Sequence, residues 1–465
     1  MQFDTYTYAL FLPLVFFIYW GLRHRLRLQN LFLLCASYLF YGWWDWRMLG
    51  LIALTTLTTW GSALLMRADR SSHDKAWAAA NIVLNLGILC VFKYLNFLRD
   101  SFVHLMGLFG VSPDWPTLNI LLPVGISFYT FQAIGYTIDV YRGEVKATRD
   151  ALSFSVFIAF FPQLVAGPIE RASNLLPQFQ REKAFDYDTA VVGMRQILWG
   201  LAKKIIIADT MGRWVDQIYD NPYSYSATSM IWAGILFAVQ IYADFSGYSD
   251  IAIGSARLLN IRLRANFRYP FFSRNMKELW QRWHISLMTW FRHYVYFPLG
   301  GSRRGQWRTV INIMIVFALS GLWHGANWTF VLWGTVNGLL LVPFVFLPRK
   351  DLSEHASVRD LPRYLLTFFL FAMVFIAFRA EGVKHLGQIC SVIAGGTWLA
   401  WPSCLEALYY IVPFFIIEWL GRRQEFPIMR LPFPTIVRWL IYWGLLLGIA
   451  MASLDRSTQF IYFQF

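Results

Sequence analysis

The chain is a succession of apolar runs of membrane-spanning length cut by short loops rich in Arg and Lys, and this pattern constrains the fold more than any other feature. The runs cover approximately Tyr8 to Leu22, Leu31 to Trp44, Leu49 to Met66, Ala76 to Leu95, Leu118 to Val140, Leu152 to Gly167, Ile231 to Ile261, Val310 to His324, Asn327 to Leu347, Arg363 to Phe378, Leu405 to Leu420 and Val437 to Ser453. Inside a bilayer each backbone N–H and C=O must be satisfied within the protein, which leaves helices or closed barrels. None of the runs has the period-2 alternation of a barrel strand, so the expected class is an all-α polytopic membrane protein. At roughly 20 residues per span the chain has room for about a dozen. The loops are too short for a separate soluble domain, so a single transmembrane domain over residues 1–465 is expected, with 454–465 a short outward-facing tail.

Composition agrees, with 57% hydrophobic residues against 15% charged ones. The net charge of +14 raises the question of nucleic acid, but the basic residues sit in loops between apolar runs rather than on a basic domain. Positive-inside orientation accounts for them, and no nucleic-acid partner is expected. Arg23-His24-Arg25-Leu26-Arg27, then Arg67, Arg70 and Lys75, and later Arg422, Arg423, Arg430 and Arg438 mark cytoplasmic loops, which directs both termini outward. The start, Met1-Gln2-Phe3-Asp4, has no basic n-region and no small-residue cleavage site after it, so the first run is expected to stay in the mature protein. Cys35, Cys90, Cys390 and Cys404 stand apart without a CxxC pair, which supports neither a metal site nor a disulfide framework.

The chemistry concentrates between Gln281 and Trp333. His284 and His324 lie against some of the most apolar sequence in the chain, with the turn Gly300-Gly301-Ser302-Arg303-Arg304 between them. His324 closes one apolar run and Trp328 opens the next, and an ionisable group in that position is a functional-site hypothesis by default. A lone His in an apolar run is otherwise a hydrogen-bonded core residue, and local sequence leaves both readings open. Asp244 and Asp250 are six residues apart, which on one helix leaves them about 120° from each other. They do not converge on one substrate, so pairing with buried partners is the better reading. From Ala190 to Met211, Arg195, Lys203, Lys204 and Asp209 interrupt apolar positions, as in an amphipathic helix lying along the cytoplasmic face. Between Arg257 and Arg282 basic and aromatic residues interleave, which fits either anionic lipid headgroups or a phosphate-bearing donor. No GxxxxGK[ST] sequence occurs, so nucleotide hydrolysis has no motif behind it.

Four ordered motifs carry a resemblance: Asp244-Phe-Ser-Gly-Tyr-Ser-Asp250; Asn266-Phe-Arg-Tyr-Pro270 leading to Trp280-Gln-Arg-Trp-His284-Ile-Ser; Pro298-Leu-Gly-Gly301; and Gly321-Leu-Trp-His324-Gly-Ala-Asn-Trp328. Together with the turn from Ala166 to Arg171, the chain resembles the membrane-bound O-acyltransferase family, in its bacterial branch acting on alginate and teichoic acid. The resemblance implies a helical ring around a thinned centre, with a tunnel where a cytoplasmic acyl thioester, acetyl-coenzyme A in the simplest case, meets a histidine. It implies that His324 is the catalytic residue, His284 a second polar residue of the site, and Arg303 and Arg304 part of the approach for the donor. The expected function is transfer of an acyl group, acetyl in the simplest case, across the bacterial inner membrane for O-acylation of an extracytoplasmic polysaccharide. No bound cofactor or metal is expected.

The ending Phe460-Ile-Tyr462-Phe-Gln-Phe465 resembles the Phe-x-Tyr-x-x-Phe tail of the same branch or of its small partner proteins. That implies that Tyr462 takes the acyl group before a secreted or membrane-anchored transferase passes it to polysaccharide. Interfacial anchoring by the aromatic rings is the alternative. Two rival classes remain on sequence alone, a transporter using intramembrane His and Asp as a proton relay, and a non-catalytic assembly subunit. No inverted repeat favours the first.

Overall fold

The computed structural model describes residues 1–67, 69–111, 115–118, 121–165, 167–347 and 356–454, and among them regular structure is helical, with no strand. Among the described residues six helices are long and apolar enough to cross a membrane: Trp46–Leu65, Ser72–Leu108, Ala227–Leu258, Trp328–Phe346, Val358–Arg379 and Thr435–Ser453. Other apolar runs form shorter helices, such as Tyr6–Gly21. The chain is a multi-pass membrane protein. Helix starts follow local chemistry, since the side chains of Thr5, Ser71, Asp150, Asn275 and Asn327 each accept a first-turn backbone N–H, the donors that a helix cannot satisfy itself.

The described residues fall into two compact units. The first comprises residues 1–186 with 259–263. It contains α1 (Tyr6–Gly21), α2 (Leu26–Gly42), α3 (Leu49–Leu65), α4 (Ser72–Leu89), which continues through a π turn at Cys90–Tyr94 into α5 (Leu95–Leu108), then α6 (Ile126–Tyr141), α7 (Ala151–Ala159), α8 (Phe161–Leu164) and α9 (Ala172–Phe179). Where lipid offers no hydrophobic drive between helices, polar contacts hold them. Thr137 of α6 donates to Asn81 of α4 at 2.9 Å, and Asn81 also meets Thr59 of α3. After the Gly-Pro turn, Arg171 pairs with Asp139 at 2.8 Å and Glu144 at 2.7 Å.

The second unit comprises residues 187–258 and 264–465. Its first helices are α10 (Tyr187–Leu201), a π turn (Ala202–Ala208), α11 (Asp209–Tyr219) and the 32-residue α12 (Ala227–Leu258). There follow the short helices α13 (Met276–Arg282) and α14 (Ile285–Phe291), the hairpin of α15 (Gln306–His324) and α16 (Trp328–Leu341), and α17 (Pro343–Phe346). It ends with α18 (Leu361–Arg379), α19 (Val383–Gly395), α20 (Leu408–Gly421) and α21 (Thr435–Ser453). Helix α12 is buried along most of its length, whereas α21 buries none of its span, as befits an axis and a lipid-facing helix.

Glycine lets α10 and α12 touch backbone to backbone. A Cβ on Gly200 would stand 2.6 Å from the Gly247 carbonyl oxygen, and one on Gly247 2.8 Å from that of Gly200. The same reciprocal fit joins Gly193 and Gly254 one helical heptad away. Small residues of this kind permit the closest helix crossings in a membrane. The crossing also corrects the sequence expectation for 190–211. Lys203 and Lys204 are buried, not set along a lipid headgroup layer, because the π turn points both ammonium groups at α12. Lys203 pairs with Asp250 at 2.6 Å, and Lys204 lies between Asp209 at 2.7 Å and Asp244 at 3.0 Å. An amphipathic pattern in sequence does not distinguish a face turned to water from one turned to buried counter-charges.

Candidate active site

His324 is the last residue of α15, and the two helices of its hairpin are pressed together by glycine. A Cβ on Gly321 would overlap the Phe330 carbonyl, and one on Gly334 the Phe317 carbonyl. The return turn is fixed by Asn327, whose side chain caps α16 through Thr329 N–H at 3.1 Å and donates to the Glu381 carbonyl at 2.7 Å. His324 is therefore held against the next helix rather than released to a loop. It is 5% exposed, and its ring stands edge-on to Trp333 at 5.1 Å between centroids and to Phe378 of α18 at 5.3 Å. Phe378 also packs on Trp333 at 5.1 Å, which closes an aromatic wall around the imidazole.

His284 reaches the same place by a strained turn. It joins α13 to α14 with φ 43° and ψ 52°, a left-handed conformation costly for a residue with a side chain. Asn266 holds this turn in place. Its carbonyl accepts from Ile285 N–H at 2.9 Å, its side-chain oxygen accepts from the Ser286 hydroxyl at 2.6 Å, and its amide donates to Ser249 of α12 at 3.2 Å. On the other side of the turn Arg268 N–H donates to the Arg282 carbonyl at 3.0 Å, and Glu278 is gripped by Arg274 and Arg282. The His284 ring meets Phe245 of α12 at 4.6 Å and Trp323 at 6.0 Å, and lies 6.4 Å from the ring of His324. Neither nitrogen of His284 has a hydrogen-bond partner among the described residues. The turn lies outside the six span-length helices, and burial pushes the imidazole down to about 3, so it is neutral at physiological pH.

The Asp244 to Asp250 motif becomes legible residue by residue. Asp244 faces Lys204, Phe245 supports His284, the Ser246 hydroxyl accepts from Lys203 at 2.8 Å, and Gly247 makes the crossing with α10. Ser249 accepts from Asn266, and Asp250 takes Lys203 and, at 2.8 Å, Gln196. Both carboxylates are thus ion-paired, as their angular separation led us to expect, and Phe245 of the motif touches the ring of His284. Nearby, Tyr242 donates to Glu418 of α20 at 2.7 Å.

Arg303 and Arg304 are not brought to the histidines. They are exposed, in the turn before α15, and the 19 residues of that helix separate them from His324 by about 28 Å at about 1.5 Å per residue. The turn is tied to the helix by Asn312, whose amide donates to the Gly301 carbonyl at 2.8 Å. Tyr462 lies outside the described residues. Sequence reasoning did not single out Phe245, Asn266, Trp333 or Phe378 for the site. Asn266 and Phe245 stood inside motifs already noted, whereas Trp333 and Phe378 lie in apolar helices with nothing local to mark them.

The arrangement holds two buried imidazoles 6.4 Å apart and tilted by 59° among aromatic side chains, where a base can take a hydroxyl proton with little competition from water. No group of three or more metal-ligating side chains occurs among the described residues. Comparison with known proteins gives matching indications. Residues 145–350 match the model of the membrane-bound O-acyltransferase family. The chain is 41% identical over 425 residues to a probable alginate O-acetylase of Azotobacter vinelandii, covering 89% of this chain and 83% of that protein. It is 29% identical to a peptidoglycan O-acetyltransferase of Helicobacter pylori, over 83% of this chain and 78% of that one. It is 28% identical to a teichoic acid D-alanyltransferase of Bacillus subtilis, over 64% and 76%.

Proposed function

This chain belongs to the membrane-bound O-acyltransferase family, and from that premise we propose that it acylates an extracytoplasmic polysaccharide through His324, using a cytoplasmic acyl thioester. The observation that carries the assignment is the pair of buried imidazoles 6.4 Å apart at the end of α15, walled by Trp323, Trp333, Phe245 and Phe378. His324 takes the proton of the acceptor hydroxyl as its oxygen bonds to the thioester carbonyl carbon. The C–S bond then breaks, and the leaving thiolate receives that proton from the imidazolium. His284, neutral and with both nitrogens open to a ligand, orients the acceptor or the thioester beside it. Acetyl-coenzyme A is the simplest donor, and we assign the exposed Arg303 and Arg304 to its phosphates on the approach to the pocket.

Tyr462 is the hydroxyl we assign as first acceptor, with a secreted or membrane-anchored transferase completing transfer to the polymer. The protein then sits in the bacterial inner membrane, as one transmembrane domain with its termini outward and lipid around it. Catalysis is favoured over ion transport by the state of Asp244 and Asp250, each held by a lysine rather than facing a histidine relay. The test is mass spectrometry of envelope polysaccharide from cells carrying the parent protein, His324→Ala or Tyr462→Phe. Loss of acyl groups in both is expected, with a labile acyl mass on the C-terminal peptide of the parent alone. Normal polymer acylation in Tyr462→Phe would reject the relay and leave His324 acting directly, and normal acylation in His324→Ala would reject the assignment itself.

A further inference from the structure

Acyl transfer needs more than a base. As the hydroxyl oxygen adds to the thioester, the carbonyl electron pair moves onto oxygen, and that charge has to be met inside a pocket that excludes water. Preorganised hydrogen-bond donors serve this purpose best, because they require no rearrangement when the charge develops. The Arg side chains of the 303–304 turn are about 28 Å along α15 from His324 and cannot reach the same atom. A donor is needed within the aromatic wall.

Two indole N–H groups there are without an acceptor among the described residues, those of Trp333 and Trp280. Trp333 is 1% exposed and its ring abuts His324, while Trp280 packs behind it at 5.9 Å and is one ring further from the imidazole. A buried indole ordinarily finds a partner for its N–H, since leaving it unpaired wastes the hydrogen bond it made with water. Packing fills the space with the bicyclic ring but does not call for its N–H, because Phe375, Phe378 and Trp280 present apolar ring edges to it. The indole N–H of the buried Trp199 is also without an acceptor among the described residues, but only that of Trp333 belongs to a ring abutting the base, and that position gives it the character of a binding group awaiting its acceptor.

We infer that the Nε1–H of Trp333 donates to the thioester carbonyl oxygen and holds the oxyanion formed when the acceptor hydroxyl adds. This rests on His324 being the base. In the balanced step, the acceptor proton passes to His324, the new C–O bond forms, and the oxyanion rests on Trp333. Its collapse breaks the C–S bond, and the thiolate leaves with the proton that His324 returns. Trp280 is the reference, a buried orphan indole too distant to share the charge.

The experiment replaces Trp333 with 3-benzothienylalanine, which keeps the bicyclic shape and substitutes sulfur for the N–H. Full-length protein in native membranes is supplied with acetyl-coenzyme A as the probe, and thiol release and polymer acetylation are read together. The expected result is a fall of about 10²-fold in kcat with little change in KM for the probe, the signature of a contact made in the transition state. A kcat within about twofold of the parent, with His324→Ala inactive, overturns the inference and leaves the base in place. Activity in His324→Ala overturns the reading of the site and this inference with it. Should the analogue lower the yield of folded protein, Trp333→His and Trp333→Phe decide the matter by rank. A donor role makes the His variant the faster, and a packing role makes the Phe variant at least as fast.

Discussion

Two regions of the second unit bury polar groups and treat them in opposite ways. On the side of α10, each charge has its counter-charge: Lys203 with Asp250, and Lys204 between Asp209 and Asp244. On the side of the histidines, the walls are aromatic, and His284, Trp280 and Trp333 keep polar nitrogens that no described residue satisfies. In a low-dielectric interior an unpaired polar group is expensive and a paired one neutral or helpful to specificity. The contrast separates scaffold from site. The ionic cluster ties α10 to α12, and on the proposed reading the aromatic region keeps hydrogen bonds for a substrate to complete.

The largest expected effect is at His324. If His324 is the base as proposed, His324→Ala should lose about 10²- to 10⁴-fold in acylation, with expression and detergent stability nearly unchanged. A variant that lost folded protein instead would place His324 with the scaffold and erase the distinction between the two regions.

Next comes the opposite kind of failure. Lys204→Met removes the ammonium group that two buried carboxylates share, and removing one partner of a buried ion pair costs about 3–5 kcal/mol. Thermal melts and yields should register this loss, and Lys204→Met combined with Asp244→Asn should recover part of it, since the pair is then removed together. Full stability with absent activity would mean that the cluster belongs to the chemistry.

His284→Ala should fall between these. Both ring nitrogens are open to a ligand, so activity should drop by about 10-fold or more, less than for the base, because orientation contributes less than proton transfer. Burial holds His284 down to about 3, so it stays neutral from pH 5 to 8 and contributes no inflection to the rate profile in that range. An inflection lost in His284→Ala would show that the ring titrates when substrate is bound.

These contrasts were only partly legible in the chain. Apolar runs and basic loops identify a helical membrane protein, because lipid allows few alternatives. His324 stood out as a candidate because it closes one run just before another opens, but local sequence left a core histidine equally open, and the assignment rests on the resemblance of the motif around it. The pairing of Lys203 and Lys204 was not, since it depends on glycines 200 and 247 letting two helices approach until the ammonium groups reach α12. Nor could sequence supply the role of Asn266, which acts through three hydrogen bonds to residues 17 to 20 positions away, or of Phe378, which lies on α18, 54 residues beyond His324. Local pattern reports which face is apolar, and tertiary contact decides what that face is for.

The smallest effect is expected where the two regions are both remote. Arg303 and Arg304 are exposed, and among the described residues no carboxylate pairs with either. A donor phosphate bound there would be about 28 Å along α15 from the reacting carbonyl, so its contacts would be the same in the ground state and the transition state. Binding of that uniform kind sets KM and leaves kcat alone. Replacing both with Gln should therefore raise KM for acetyl-coenzyme A by about 10-fold at low ionic strength while the maximal rate stays within about twofold. Salt provides the internal control, since exposed charges are screened beyond roughly 10 Å at 0.1 M and about 3 Å at 1 M, so the parent and the double variant should converge as ionic strength rises. An unchanged KM at low salt would mean that the two arginines hold the loop on the cytoplasmic side and take no part in capturing the donor.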